Sequence, residues 1–487
     1  MTNLKFLEKT NLKIIFLISI FLLGFIVRLY RFDSPVADWH SFRQSDTAAV
    51  SKIYVNEGYD LLYPKYFDIS NVQSGFDNPY GYRFVEFPLY NFLHAFLFKS
   101  FGIFSFDQWG RLINIVSSLV TGLIIYALLK KYANTLSAFG GLLSFLFFPY
   151  SIFYSRVILP EITMVTAIMA GIYFFDKYLE KGRNKRKVVI FYVFSIISTA
   201  IALLLKPFAL FFVLPFIALA YKKYGIKFIF KWHLWLFAAI SVAPLLLWRL
   251  WISQHPEGIP VSSWLLNGNG IRFRPAFFRW IFFERITKLI LGYSGIILSL
   301  FGAIFILKNK NALFFISFAT SSLIYLFTIA TGNVQHDYYQ ILIIPTMAMF
   351  AGIGLDALFR VIASKTNRYI SVVIITAIFI SSIYFSWNLV KDYFNINDNG
   401  MVHAAQRADL ILPSDAIVIA PYDGSTTFLN LIGRRGWPVF QVGIEELILR
   451  GAQYLVIANP TPNDFSGFGT TYEIVDSSKE YLILKLK

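Results

Sequence analysis

Cysteine is absent from all 487 residues, which excludes disulfides, thiolate metal sites and cysteine nucleophiles. Charge is scarce as well: Asp, Glu, Lys and Arg make up 15% of the chain, against roughly a quarter in soluble domains. There is no Walker motif, no GxGxxG after a strand pattern and no internal repeat, so nothing points to nucleotide binding or to a repeat architecture. Apolar residues fill the space instead, at 56% of the chain with a mean hydropathy of +0.58. A single water-soluble core saturates below this size, so the bilayer is the main solvent. The formal charge of +16 then reads as lysine and arginine gathered in cytoplasmic connections, not as nucleic-acid binding.

Eleven apolar runs have about the length that crosses a bilayer, or slightly less. The first, Ile14 to Val27, follows Lys5, Lys9 and Lys13; it lacks a small-residue cleavage site and ends in Arg28 to Arg31, so it reads as a retained helix and not a signal peptide. The others are centred near residues 120, 143, 168, 197, 213, 242, 297, 320, 348 and 378. Alternate connections are basic: Lys130–Lys131, Lys181 to Lys187, Lys222 to Lys231, Lys308 to Lys310 and Arg360 to Arg368. By the positive-inside rule the N-terminus is cytoplasmic, and an odd number of spans puts the C-terminus outside the inner membrane. The pair of runs at 190 to 221 is the weakest, because Lys206–Pro207 interrupts it.

The expected fold is therefore an α-helical polytopic membrane protein, with a transmembrane domain over 1–390 and an extracytoplasmic α/β domain over 391–487. Three segments fall on the outer side: 31 to 108, 253 to 287 and 388 to 487. Within the first, Phe84 to Phe98 is too short and interrupted to span and reads as an interfacial helix. In the second, Arg272, Arg274, Arg279 and Arg285 alternate with Phe and Trp, which suits arginines snorkelling along headgroups. In the third, helices at His403 to Leu410 and Ile444 to Arg450 alternate with strands at Ala416 to Ala420, Tyr454 to Ala458, Tyr472 to Val475 and Tyr481 to Leu486.

The densest polar cluster follows the first run: Asp38, His40, Arg43, Gln44 and Asp46. Two carboxylates, an imidazole and a guanidinium at a membrane surface supply a general base, hydroxyl-binding groups and a phosphate clamp; the bland account is a solvated loop. On a helix Asp38 and Asp46 would share a face, as would His40 and Arg43. Next come Ser155-Arg156-Val157-Ile158-Leu159-Pro160-Glu161, where a proline followed by an acid explains a helix start by itself, although an acid at a span's rim is also a functional candidate. Arg83 with Glu86-Phe87-Pro88-Leu89-Tyr90, and His336-Asp337-Tyr338-Tyr339, read either as interface anchors or as site residues. Lys206 stands alone beside Pro207.

At these residues the chain resembles the GT-C membrane glycosyltransferases, especially bacterial members of glycosyltransferase family 39, which are similar to protein O-mannosyltransferases and lipid A aminoarabinose transferases. The resemblance runs over about residues 10 to 390 in helix order. DWHSFRQSDTA resembles the family's acidic first-loop motif, although many relatives have an Asp-Glu or Asp-Asp pair where Arg43-Gln44 stand here. EFPLYNFL resembles the HPPLYYWL-type segment, with Glu86 at the histidine position. SRVILPE resembles the second acidic motif, LLLKPFALFF the lysine-bearing helix, and HDYYQILIIP a later outer-loop motif. The resemblance implies transfer of one monosaccharide from a polyprenyl-phosphate donor to an acceptor hydroxyl of a glycan, lipid or protein, with inversion. It further implies a base in Asp38 or Asp46, with Asp38 narrowly preferred, Glu161 positioning sugar or acceptor, and Arg43, Arg83, Lys206 and the cluster containing Arg272 and Arg274 holding phosphate. No cofactor is required and a divalent metal is not favoured. The rival readings are a secondary transporter or flippase of a lipid-linked sugar, which calls for charges inside the spans and a helix repeat, and a metal-dependent oligosaccharyltransferase-like enzyme.

Overall fold

A computed structural model describes residues 10–487 except Lys181 and Arg183, with backbone alone at 10–12. Lys5, Lys9, Lys181 and Arg183 of the expected basic segments lie outside the described residues. All eleven apolar runs are helical. Seven described helices are long and apolar enough to cross a bilayer, or eight if Pro275–Ile290 and Gly295–Ile306, bent by 114°, form one span. Thr135–Phe147 and Ala312–Thr328 are apolar but shorter. The chain is a multi-pass membrane protein.

Local chemistry sets the helix ends. Phe106–Tyr132 opens on a capping box between Ser105 and Gln108 and closes on Lys130 and Lys131, which complement the carbonyl end of the dipole. Glu161–Leu179 begins directly after Pro160 with an acid in its first turn. Lys185–Leu205 stops because Pro207 brings no N–H and disfavours helix in the residue before it; Lys206 is accordingly extended. Lipid gives helices no hydrophobic reason to associate, so close van der Waals contact at small residues carries the packing. Thr135–Phe147 and Ile344–Lys365 meet where a Cβ on Gly352 would lie 2.4 Å from the Gly141 nitrogen.

Opposite ends of the bundle collect different chemistry. At one end Lys131 pairs with Asp176, Lys222 donates to Asn311, and Asn134 donates to Asp356. At the other the three long polar segments meet: Phe84 N donates to Gly258 O (2.7 Å), Val261 N to Gln73 O (2.9 Å), and Lys52 to Asn430 O (2.6 Å).

Those segments differ from expectation in detail. The helix Ser41–Glu57 starts after Asp38 and His40, so of the expected face-sharing pairs neither is helical at both members. Leu89–Ser100 replaces the expected helix at Phe84 to Phe98, because Pro88 is its natural first boundary; Tyr90, Asn91, His94 and Ala95 are buried while Phe92, Leu93 and Phe96 face outward. Segment 253–287, expected only to lie along the headgroups, is a series of short helical turns leading into a π-helical stretch, Arg279–Ile290.

The last hundred residues form a five-stranded sheet in the order β2-β1-β3-β5-β4, with β1 Val418–Ile419, β2 Gly436–Trp437, β3 Tyr454–Ala458, β4 Glu473–Ser477 and β5 Tyr481–Lys485. β1 runs parallel to β2 and β3, and β5 antiparallel to β3 and β4. Helices Thr427–Ile432 and Pro462–Thr471 and strand β2 add to the expected elements. The first polar segment continues this sheet, since Ile69 N donates to Gly436 O and Gly436 N to Phe67 O. Ala49, Ile53 and Tyr54 also share one apolar core with Met401, Phe428 and Leu429. A cut at 391 therefore passes through a common core.

Candidate active site

His40 has a left-handed backbone (φ 56°) that turns the chain into the helix Ser41–Glu57. Arg43 and Asp46 then stand one turn apart on the helix, 3.9 Å from each other. From this pair an alternating series of charges crosses four segments. Arg83 donates to Asp46 Oδ2 (2.6 Å), Arg43 pairs with Glu86, Lys206 lies 3.9 Å from Glu86, and Lys206 also pairs with Glu161. Every member is largely buried, and buried charges are tolerated only when paired in this way. Burial alone would raise the Glu86 carboxyl, but the Arg43, Lys206 and Arg83 cations together hold it below its ordinary value. Burial likewise opposes the Arg43 charge, and Glu86, Glu161 and Asp46 outweigh it, so its pKa lies above the ordinary value.

Arg43, Asp46, Arg83, Glu86 and Lys206 of this series form one wall of a cavity of about 460 Å³. Arg43, Arg83, Lys206 and Arg249 line it against Asp46 and Glu86, four cations to two carboxylates. Arg83 Nε and Nη1 are buried without a hydrogen-bond partner, leaving donors for an anion. The Lys206 ammonium stands 5.8 and 5.6 Å from the ring centres of Tyr338 and Tyr339, which also line the cavity.

A second cavity of about 590 Å³ adjoins the first, and the two share Phe42, Asp46, Gln73 and His336. Its far wall is the turn Tyr422 to Thr426 of the C-terminal sheet domain. Thr426 Oγ1 donates to Asp46 Oδ1 (2.7 Å), so Asp46 receives Arg83 on one oxygen and Thr426 on the other. Beside this cavity, Asp337 accepts from His40 (2.6 Å), Tyr154 (2.5 Å) and Tyr393 (2.6 Å). His336 is pulled down to about 4 by burial and by His40, and is neutral.

Asp38 reaches neither cavity. It is 1% exposed, accepts from Gln44 Nε2 (2.6 Å), lies 3.8 Å from Arg156, and burial pushes its carboxyl up. Gln44 in turn accepts from Ile158 N (3.1 Å), and Arg156 donates to Arg31 O (2.9 Å). The three tie the first polar segment to the segment before Glu161. Tyr90 is buried and donates to Gly110 O (2.8 Å). Arg272 donates to the carbonyls of Leu266 and Thr328, and Arg274 is exposed away from both cavities. Sequence reasoning missed Arg249 and Thr426, while Asp337 was picked out only as part of the His336-Asp337-Tyr338-Tyr339 motif, with no role of its own. Of the two missed residues only Arg249 carried a signal, as a lone charge in the last turn of an apolar helix. Among the described residues no three His, Asp or Glu side chains converge as a metal site would require.

Residues 86–248 match the family model described as dolichyl-phosphate-mannose-protein mannosyltransferase. Comparison with curated proteins gives no match. Among solved structures the chain is similar to ArnT from Cupriavidus metallidurans bound to undecaprenyl phosphate, at 13% identity over 97% of both chains with a TM-score of 0.66, and to its apo state at 0.64. It is also similar to the Archaeoglobus fulgidus oligosaccharyltransferase AglB in complex with an inhibitory peptide and a dolichol-phosphate, at 11% identity over 93% of this chain and 70% of that one, with a TM-score of 0.57.

Proposed function

Reasoning from the GT-C fold that this chain has and from the mannosyltransferase pattern in residues 86–248, we propose that it is a membrane glycosyltransferase. It moves one monosaccharide from a polyprenyl-phosphate carrier to an acceptor hydroxyl at the outer face of the cytoplasmic membrane, with inversion. The single observation that carries the reading is the cation excess of the first cavity, where Arg43, Arg83, Lys206 and Arg249 face a space shared with Asp46. The orientation belongs to the proposal too. Its support is that the basic connections converge at one end of the bundle and the polar segments at the other.

The chemistry is a one-step displacement. A carboxylate takes the proton of the acceptor hydroxyl, the freed oxygen attacks the anomeric carbon, and the bond from that carbon to the phosphate oxygen breaks, its electron pair leaving with the phosphate. Charge builds on the leaving phosphate in a largely water-excluded site, where fixed cations stabilise it strongly. Asp46 is the stronger choice of base, since it borders both cavities, whereas Asp38 borders neither and is tied to Gln44 and Arg156. Glu161 does not line either cavity; it holds Lys206 and so positions the cation.

The test is transfer from synthetic undecaprenyl-phosphate sugars by the protein in nanodiscs, with Asp46→Asn and Asp38→Asn compared. Loss of a base costs about 10²- to 10⁴-fold, and that loss is expected for Asp46. Wild-type turnover in both variants sinks the assignment. A wild-type protein that transfers no sugar but moves the lipid-linked sugar across vesicles sinks the transferase reading altogether. Mass spectrometry of lipid that co-purifies identifies the carrier.

A further inference from the structure

We infer that the second cavity is the acceptor site and that its occupant is a neutral carbohydrate, an inference that rests on the transferase reading for its chemistry but not for its binding test. The two cavities differ sharply in charge. The first has four arginine and lysine side chains; the second has none, and its carboxylates and imidazoles are those of Asp46, Asp423, His40 and His336. His336 is neutral and His40 is engaged with Asp337. A phosphate-bearing acceptor would find no cation here, and it would meet two carboxylates.

The remaining surface suits sugar hydroxyls and ring faces. Trp39 stacks on Tyr393 at 16° with 4.9 Å between ring centres, and its indole Nε1 is oriented toward Asp337. Held from behind and at the edge, it keeps 39% of its surface exposed and forms a flat, fixed platform for the apolar face of a pyranose. Lining the same cavity, Asp423 and Gly424 are consecutive left-handed residues (φ 50° and 76°) in a turn pinned by Tyr422 N and Gly424 N to Pro438 O. That turn presents Asp423, exposed and with no hydrogen-bond or ion-pair partner among the described residues, as an acceptor for hydroxyl donors. Asn397 adds an amide to the same cavity. An extended peptide would instead look for an unpaired strand edge, and β2, the nearest strand, is already bonded on both sides by β1 and by the backbone of Phe67 and Ile69.

The same turn ends in Thr426, whose hydroxyl rests on Asp46. A glycan held between Trp39 and Asp423 therefore lies beside the carboxylate that borders the donor cavity. The C-terminal domain, on this account, selects the acceptor.

The experiment is binding by saturation-transfer NMR and calorimetry with the full chain in nanodiscs. The probes are neutral glucose and galactose di- to tetrasaccharides, a Ser/Thr-containing peptide, and glucosamine 1-phosphate as a phosphorylated headgroup sugar. Neutral oligosaccharides are expected to bind, with affinity reduced about tenfold or more by Trp39→Ala and by Asp423→Ala, kept by Trp39→Phe, and unchanged by Arg249→Ala. Preference for the peptide or the phosphosugar, absence of neutral-sugar binding, or indifference to the Trp39 and Asp423 variants each overturns the inference. Oligosaccharide binding without transfer from any donor overturns the transferase reading and leaves this site standing. Transfer whose acceptor KM ignores both substitutions overturns this site and leaves the transferase reading standing.

Discussion

Replacing Lys206 with methionine keeps the aliphatic stem and removes one charge from the alternating series. Its side chain is 7% exposed and that of Glu161 4%, the pair being made to Glu161 Oε1, and Glu161 Oε2 has no hydrogen-bond partner. Glu86 keeps Arg43, but Glu161 is left as a buried anion. Breaking a buried pair from one side costs about 3–5 kcal/mol, whereas replacing both partners with uncharged side chains is often close to neutral. An exposed pair would cost about 0.2–1 kcal/mol, so the difference is large enough to measure. Lys206→Met should therefore lower the unfolding midpoint in detergent by several degrees, and Lys206→Met with Glu161→Gln should recover most of it. Both variants should stay defective in transfer, because the proposed mechanism uses the lost cation to stabilise the leaving phosphate. Thermal unfolding followed by tryptophan fluorescence, paired with turnover in the same preparation, separates the two effects. A double variant as unstable as the single one, or one that turns over at the wild-type rate, refutes the reasoning.

Arg249→Ala should raise the donor KM about tenfold or more without lowering stability by a comparable amount, since Arg249 faces the cavity and is not part of the alternating series; donor titrations at saturating acceptor check it. Excess chelator should leave turnover unchanged, because side-chain cations rather than a metal neutralise the phosphate in the proposed mechanism; the assay with and without EDTA decides. His94 is fully buried and its imidazole, donating from Nε2 to Phe106 O (2.7 Å), is pulled by burial from 6.5 down to about 4. Below pH about 6.5 the unfolded chain takes up a proton that the folded chain refuses, so stability falls as pH drops from there to about 4, by ~3 kcal/mol in full. Unfolding midpoints across that window should fall for the wild type and flatten for His94→Asn.

The spans were legible because lipid selects on composition over a length, and that survives without knowledge of any contact. All eleven runs became helices for this reason. The gathering of the basic connections at one end of the bundle was legible through charge alone. What escaped depends on contacts between distant parts of the chain. Asp38 and Asp46 look equivalent in the sequence, and only the left-handed turn at His40 puts one in the wall of a cavity and the other in a knot with Gln44 and Arg156. Thr426 lies 380 positions from Asp46 and resembles any loop threonine. β2 has two residues and is defined by its neighbours on both sides, so no local pattern announces it. The arginines at 272 and 274 looked like Arg43 and Arg83 by composition, yet backbone carbonyls and open surface claim them instead.

The shared core between the helix Ser41–Glu57 and the sheet domain has a consequence for inheritance. The cations that face the proposed carrier are borne by the helices and the first polar segment, while the turn Tyr422 to Thr426 alone brings the far wall of the second cavity. Because residues 422 to 425 of that turn are anchored to Pro438, and Thr426 alone ties the turn to the helix Ser41–Glu57, the four residues before Thr426 can be exchanged for others of equal length while the core beneath stays whole. Descendants of such a protein would diverge in what they decorate long before they diverge in the carrier they draw upon, and a grafted turn is the shortest route to a new acceptor.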